Sequence, residues 1–184
     1  MLPRKIWHAS GVLIVLLYRG LDVPRPLAAG LLLGITAFLL AFDVLRPRWP
    51  ALQDLFRRKL SLILDEKDMQ GLNGSTLYFG GCGLAVALFP PGPASVGILA
   101  LVLGDPCAAL VGSHVRSPRW GRVSLAGSVA CLATASLAAC VFVPWPVALA
   151  AGFAAALLEA LAGSKLDNLA IPIGTALVAR ILLG

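Results

Sequence analysis

Apolar residues run along this chain in long blocks, and proline and glycine mark where each block stops. Seven blocks emerge, over residues 5–20, 25–42, 75–90, 94–112, 125–143, 146–163 and 168–183. Most approach the roughly 20 residues needed to cross a bilayer as helix, and none alternates with the two-residue period of a half-buried strand. The pattern predicts an all-α, polytopic transmembrane helical bundle of about seven spans, a single integral-membrane domain over residues 1–184. The first block is short and carries Arg19 near its end. Two turns, Pro90-Pro91-Gly92-Pro93 and Pro144-Trp145-Pro146, are tight and uncharged. The one long polar stretch runs from Asp43 to Gly74. Inside it Leu52, Leu55, Phe56, Leu60 and Ile63 recur at helical spacing opposite Asp54, Arg57, Arg58 and Ser61, which predicts an amphipathic helix lying in the membrane interface.

Composition agrees with lipid as the solvent. Of 184 residues, 59% are hydrophobic and 13% charged, with a mean hydropathy of +0.88; a soluble surface needs more charge than that. The net charge of +6 sits in short loops between apolar blocks. That distribution points to anionic headgroups and phosphate-bearing substrates rather than nucleic acid. The four cysteines, Cys82, Cys107, Cys131 and Cys140, lie in apolar stretches without paired spacing and read as small packing residues. No small-residue cleavage site follows Met1–Gly20, so that segment is expected to stay with the protein.

Orientation follows from the basic residues. One side of the predicted bundle receives Arg4, Lys5, Arg46, Arg48, Arg57, Arg58, Lys59, Lys67, Arg116, Arg119, Arg122 and Lys165; the other receives Arg19, Arg25 and Arg180. The positive-inside rule places the N-terminus, and the crowded side, in the cytoplasm.

The polar residues crowd the same side. Arg4, Lys5 and His8 open the first block, and Asp43 and Arg46 follow the second. Asn73, Gly74, Ser75 and Thr76 open the third. Asp105 lies seven residues before Gly112 in the fourth, about 10 Å deeper at 1.5 Å per residue. Ser124, Gly127 and Ser128 open the fifth, Glu159 closes the sixth, and Asp167 and Asn168 open the seventh. Three helix N-termini at one face, with free backbone N–H groups and small polar residues, suit phosphate. Three acids at helix C-terminal ends, Asp43, Asp105 and Glu159, call for a cation, since the dipole disfavours them there and an acid at membrane depth is costly. The pattern fits a Mg²⁺–polyphosphate site, with Asp105 and Glu159 as metal ligands.

Several short patterns, in order, resemble a known family: Arg4-Lys5-x-x-His8, Asp43-x-x-Arg46, Gly104-Asp105-Pro106-x-Ala108-Ala109-x-x-Gly112, Ser124-x-x-Gly127-Ser128, and Glu159 followed by Asp167-Asn168-x-x-x-Pro172. The chain is similar to the CTP-dependent lipid kinases, which include dolichol and polyprenol kinases, phytol kinase and CTP-dependent diacylglycerol kinase. The likeness runs from the first residues to Pro172. It implies transfer of the CTP γ-phosphoryl group to a membrane lipid alcohol, with Mg²⁺ or another divalent cation, at a site facing the cytoplasm of, in a bacterium, the inner membrane. It assigns the 105–112 and 124–128 stretches to the nucleotide and Arg4 and Lys5 to an essential basic pair. Where the family usually has Lys and Glu this chain has Val123 and Ala126, and Arg122 is expected to supply the missing cation.

On this reading Asp105, Asp167 and Glu159 form the catalytic set, with Asp105 or Asp167 accepting the hydroxyl proton. Arg4, Lys5, His8, Asp43, Arg46, Asn73, Gly74, Ser75, Thr76, Gly112, Arg122, Ser124, Gly127, Ser128 and Asn168 hold nucleotide and phosphate. A phosphatidate cytidylyltransferase would use a similar site but release pyrophosphate. A small transporter would need polar residues through the whole membrane depth, and the outer halves of the last five blocks have almost none. The Gly- and Ala-rich blocks are also compatible with a homodimer.

Overall fold

The computed structural model describes residues 2–60 and 71–184; within them the side chains of residues 2–5, 52, 56, 57, 59, 60 and 164 stand outside the description. The expected phosphate contacts of Arg4 and Lys5 therefore fall outside the described residues. So does much of the expected amphipathic face: Leu52, Phe56, Arg57, Leu60, Ser61 and Ile63.

Helices make up nearly all of the described chain. In order they are α1 (Leu2–Ala9), α2 (Val12–Gly20), α3 (Arg25–Leu45), α4 (Pro50–Leu60), α5 (Gly74–Leu88), α6 (Pro91–Leu99), α7 (Asp105–His114), α8 (Leu125–Ala139) and α9 (Trp145–Leu183). Arg46–Arg48 forms a 3₁₀ turn after α3, and a π turn over Ala100–Gly104 joins α6 to α7. All seven apolar blocks are helical. Four helices are long and apolar enough to cross a membrane: Arg25–Arg48, Pro91–His114, and the two halves of α9, Trp145–Gly163 and Lys165–Leu183. Ile6–Gly20, Gly74–Leu88 and Leu125–Ala139 are apolar but shorter.

The boundaries have local causes. Prolines sit in the first turn of α3, α6 and α9, where their missing N–H costs nothing. Asn73 caps α5, its side chain accepting from the Ser75 N–H at 2.9 Å, and Ser124 caps α8 by accepting from the Gly127 N–H at 3.1 Å. Inside the long helix 91–114, Pro106 has no N–H to give the carbonyl four residues back, and the π turn lies where that bond is missing.

Two features differ from the sequence expectation. The first block is two helices rather than one, broken at Ser10-Gly11. There the His8 carbonyl accepts both the Gly11 N–H at 3.1 Å and the Tyr78 hydroxyl at 3.0 Å, and that hydroxyl fills the space a Cβ on Gly11 would need. The 112–124 loop of a chain expected to be all-α contains an antiparallel pair, β1 (Arg119–Trp120) with β2 (Val123–Ser124), turned by Gly121 at φ +61°.

Pro91–His114 is the central helix, with 72% of its apolar window buried against 22% for Arg25–Arg48. Glycines let its neighbours approach. A Cβ on Gly97 would collide with the Pro172 carbonyl, and one on Gly81 with the Asn168 carbonyl, so α5 and α6 both lie tight on the second half of α9. A Cβ on Gly174 would lie 2.6 Å from Leu158 Cδ1. In a straight helix those residues would be about 24 Å apart, so the halves of α9 fold back on each other at Gly163, where φ is +74°. Leu16, Phe38, Leu137, Val141, Phe153 and Leu161 face outward, a belt suited to lipid rather than water. Cys82, Cys107, Cys131 and Cys140 are all free thiols, as their spacing suggested.

Candidate active site

Burying a polar side chain in an apolar bundle is costly, so the buried polar residues locate function or structural need. Apart from Ser95 and Thr175, every buried polar or charged residue among those described is one of the candidates read from the sequence: His8, Asp43, Arg46, Asn73, Thr76, Ser124, Glu159, Asp167 and Asn168. Contacts among them fall into three groups.

The first ties the end of α3 to the start of α5. Asp43 Oδ2 accepts from the Asn73 N–H at 2.8 Å and from the Thr76 hydroxyl at 2.6 Å, while Oδ1 lies 3.6 Å from Arg46 Nη2. The same Arg46 nitrogen donates to the Gly71 carbonyl at 2.8 Å, and its side chain is fully buried. Lys165 Nζ donates to the Leu72 carbonyl at 2.8 Å, and Asn168 Nδ2 to the Gly74 carbonyl at 3.4 Å, which brings the second half of α9 to the same corner. Asp43 and Arg46 are thus engaged with each other and with the backbone that precedes α5. Gly74 is buried in this corner; Ser75, next to it, gives its N–H to the Asn73 cap.

The second group sits at the π turn. His8 Nδ1 lies 3.5 Å from Asp105 Oδ2, and the His8 ring packs on Tyr78 with centroids 5.0 Å apart. The π turn sets the direction in which Asp105 leaves the central helix, and the break at Gly11 sets that of His8.

The third group lies at the N-terminus of α8 and the fold of α9. A Cβ on Gly112 would fall 2.6 Å from Ser124 Oγ, and one on Gly127 would fall 2.7 Å from the Ala108 carbonyl. These two glycines let α7 and α8 touch backbone to backbone beside the Ser124 cap, with Ser128 one turn further along α8. Arg122, at the hairpin, lies 3.9 Å from Glu159 Oε1 and 3.6 Å from Asp167 Oδ2 through Nη1, and donates through Nη2 to the Glu159 carbonyl at 2.6 Å. Asp167 Oδ1 accepts from the Asn168 N–H at 2.8 Å.

Three contributors escaped the sequence reading. Gly11 had a signal, a lone glycine among bulky apolar residues. Lys165 read only as a topology anchor, and Tyr78 is a lone tyrosine in an apolar block. No cluster of three or more His, Cys, Asp or Glu side chains among the described residues is placed to hold a metal ion. Mg²⁺ usually rests on one or two carboxylates and takes its other ligands from water and substrate phosphates. Asp105, 3.5 Å from His8 Nδ1, and Glu159, 3.9 Å from Arg122 Nη1, are carboxylates of the kind that smaller requirement needs.

Comparison with known proteins gives the chain named relatives. The CTP-dependent diacylglycerol kinase 1 of Schizosaccharomyces pombe is 30% identical over 204 residues, covering 95% of this chain and 90% of that protein. The protein of the same name from Eremothecium gossypii is 34% identical over 146 residues, 76% of this chain and 45% of its own length. That from Saccharomyces cerevisiae is 27% identical over 146 residues, 77% of this chain and 50% of its own. The chain therefore belongs to the CTP-dependent lipid kinase family. Its named relatives are diacylglycerol kinases, and the chain spans about half the length of two of them and nine-tenths of the third. No family model matches the chain, and no solved structure does.

Proposed function

We propose that this protein transfers the γ-phosphoryl group of CTP to the hydroxyl of a membrane lipid alcohol, diacylglycerol first among the candidates, giving the lipid monophosphate and CDP. The observation that carries the proposal is the gathering of nearly every buried polar side chain at one end of an otherwise apolar bundle, around Asp105, Glu159 and Asp167. The names of the relatives support CTP as donor and diacylglycerol as acceptor. Polyprenol, dolichol-like and phytol-like alcohols present the same hydroxyl at the same depth.

In the reaction the acceptor oxygen attacks the γ-phosphorus, the bond to the β–γ bridging oxygen breaks, and CDP leaves. The hydroxyl proton passes to Asp105 or Asp167. The Leu125, Ala126 and Gly127 N–H groups of α8 are taken by Pro118, Ser117 and Ser124, so the N-termini of α5, α8 and the second half of α9 attract phosphate through their dipoles, beside the charges of Arg4 and Lys5. Gly112 and Gly127 contribute by letting α7 pack directly against the α8 terminus beside Ser124. Asp43 and Arg46 contribute by fixing the start of α5. Mg²⁺, held by Asp105 and Glu159, would neutralise charge on the polyphosphate. The bundle crosses the membrane seven times, with its N-terminus and active site on the cytoplasmic side, and α4 lies in the interface.

The test is purified protein with CTP, Mg²⁺ and a panel of lipid alcohols. CDP and phosphatidate should appear together from diacylglycerol, and Asp105→Ala should reduce the rate by about two orders of magnitude or more. Pyrophosphate in place of CDP would identify a cytidylyltransferase instead. Undiminished turnover by Asp105→Ala would remove that residue from the chemistry.

A further inference from the structure

We propose that Arg122 is a positioning residue that acts on protein carboxylates rather than on the nucleotide, holding Glu159 and Asp167 in one arrangement across the Gly163 turn. Its functional consequence rests on the kinase reading above; its geometry does not.

The hairpin that carries Arg122 is tied at both feet. Arg119 donates to the Gly112 carbonyl, the Leu125 N–H to the Pro118 carbonyl at 3.0 Å, and the Ala126 N–H to the Ser117 hydroxyl at 3.1 Å. From this fixed base the guanidinium meets three acceptors: the Glu159 carbonyl, the Glu159 carboxylate and the Asp167 carboxylate. Glu159 lies in the last turns of the first half of α9, where the dipole disfavours an acid; Asp167 lies in the first turn of the second half, where it is favoured. The two acids stand on opposite sides of a single glycine turn, and like charges so placed repel. One planar fork between them offsets that repulsion and fixes the angle of the turn. Arg122 is 39% exposed, so its ion pairs add little stability. Its contribution is geometric: two acids from two helix ends are held against the hairpin that leads into α8.

Four variants of the whole protein separate this role from direct phosphate binding: Arg122→Gln, Arg122→Lys, Asp167→Asn, and the double Arg122→Gln/Asp167→Asn. CTP affinity is measured with Mg²⁺ and without acceptor lipid, so that loss of turnover does not obscure binding. Arg122→Gln should weaken CTP about tenfold, as removal of a partner behind a ligand does. The double variant should bind no worse than its weaker parent, because the guanidinium acts through the carboxylates. Arg122→Lys should resemble Arg122→Gln, since one ammonium cannot serve all three acceptors. Multiplying losses in the double variant, or full affinity in Arg122→Lys, would mean that Arg122 holds phosphate by charge alone and would overturn the proposal. Should Arg122→Gln fail to fold, the charge-preserving Arg122→Lys carries the comparison. Unfolding midpoints without nucleotide test the clamp by itself: less-than-additive shifts support it, and additive shifts overturn it. A wild-type protein that binds no CTP would remove the kinase reading and leave that nucleotide-free result to decide the clamp.

Discussion

Asp43 shows how a side chain can look like a ligand in sequence and behave as a joint in three dimensions. Its two oxygens serve an amide, a hydroxyl and a guanidinium at once, all but closed to solvent. Asp43→Ala would leave the fully buried Arg46 guanidinium without its carboxylate, a change that typically costs 3–5 kcal/mol. We expect a loss of about 3 kcal/mol in the stability of the detergent-solubilised protein, seen as a lower unfolding midpoint. Asp-x-x-Arg at three-residue spacing was the legible hint of this local pair. The His8–Tyr78 and Thr76–Asp43 contacts were not legible, because they join residues 70 and 33 positions apart and depend on which helices cross. Arg122 was readable as a cation near the site, but its partners were not: they come from either side of a turn in a different helix.

At the level of elements, the apolar blocks and their proline punctuation were enough to locate each helix. They also separated the sixth block, 146–163, from the seventh, 168–183, and α9 doubles back between them, at Gly163. They missed the break at Gly11, which exists because a tyrosine from α5 occupies that space. The crossing of α6 over Pro172 is the tightest test of the packing. Gly97→Ala places a methyl against backbone rather than against a yielding side chain. We expect a loss of about 3 kcal/mol, measured as reduced stability in detergent. Gly30→Ala, with open space around it, should be nearly neutral in the same assay.

Across the whole molecule, the site has depth. Gly112 and Ser124 meet at one level, and Asp105 lies seven residues further along the central helix, about 10 Å away on its axis. A water-soluble nucleotide can meet the upper level while a lipid hydroxyl meets the lower from the side. Under the proposed function, the rate should follow the mole fraction of diacylglycerol in mixed micelles and stay constant when micelles are diluted at fixed composition. CTP should instead saturate by its bulk concentration. A rate that falls with dilution of the micelles would mean that the acceptor arrives through water.

The π turn at Ala100–Gly104 has a consequence for how this chain compares with its relatives. A π turn is an α-helix that has taken in one residue without lengthening the helix by a full step. Keep that residue but close the turn into regular α, and everything beyond it rotates by about 100°. Asp105 would then turn away from His8 while the apolar surface on the Pro91 side stayed in place. Any related chain that keeps this acid in the same pocket on an unbroken helix should therefore be one residue shorter between the proline turn and the acid. A single-residue gap in that interval is meaningful: it records where the helix took in a residue so that a carboxylate could face inward.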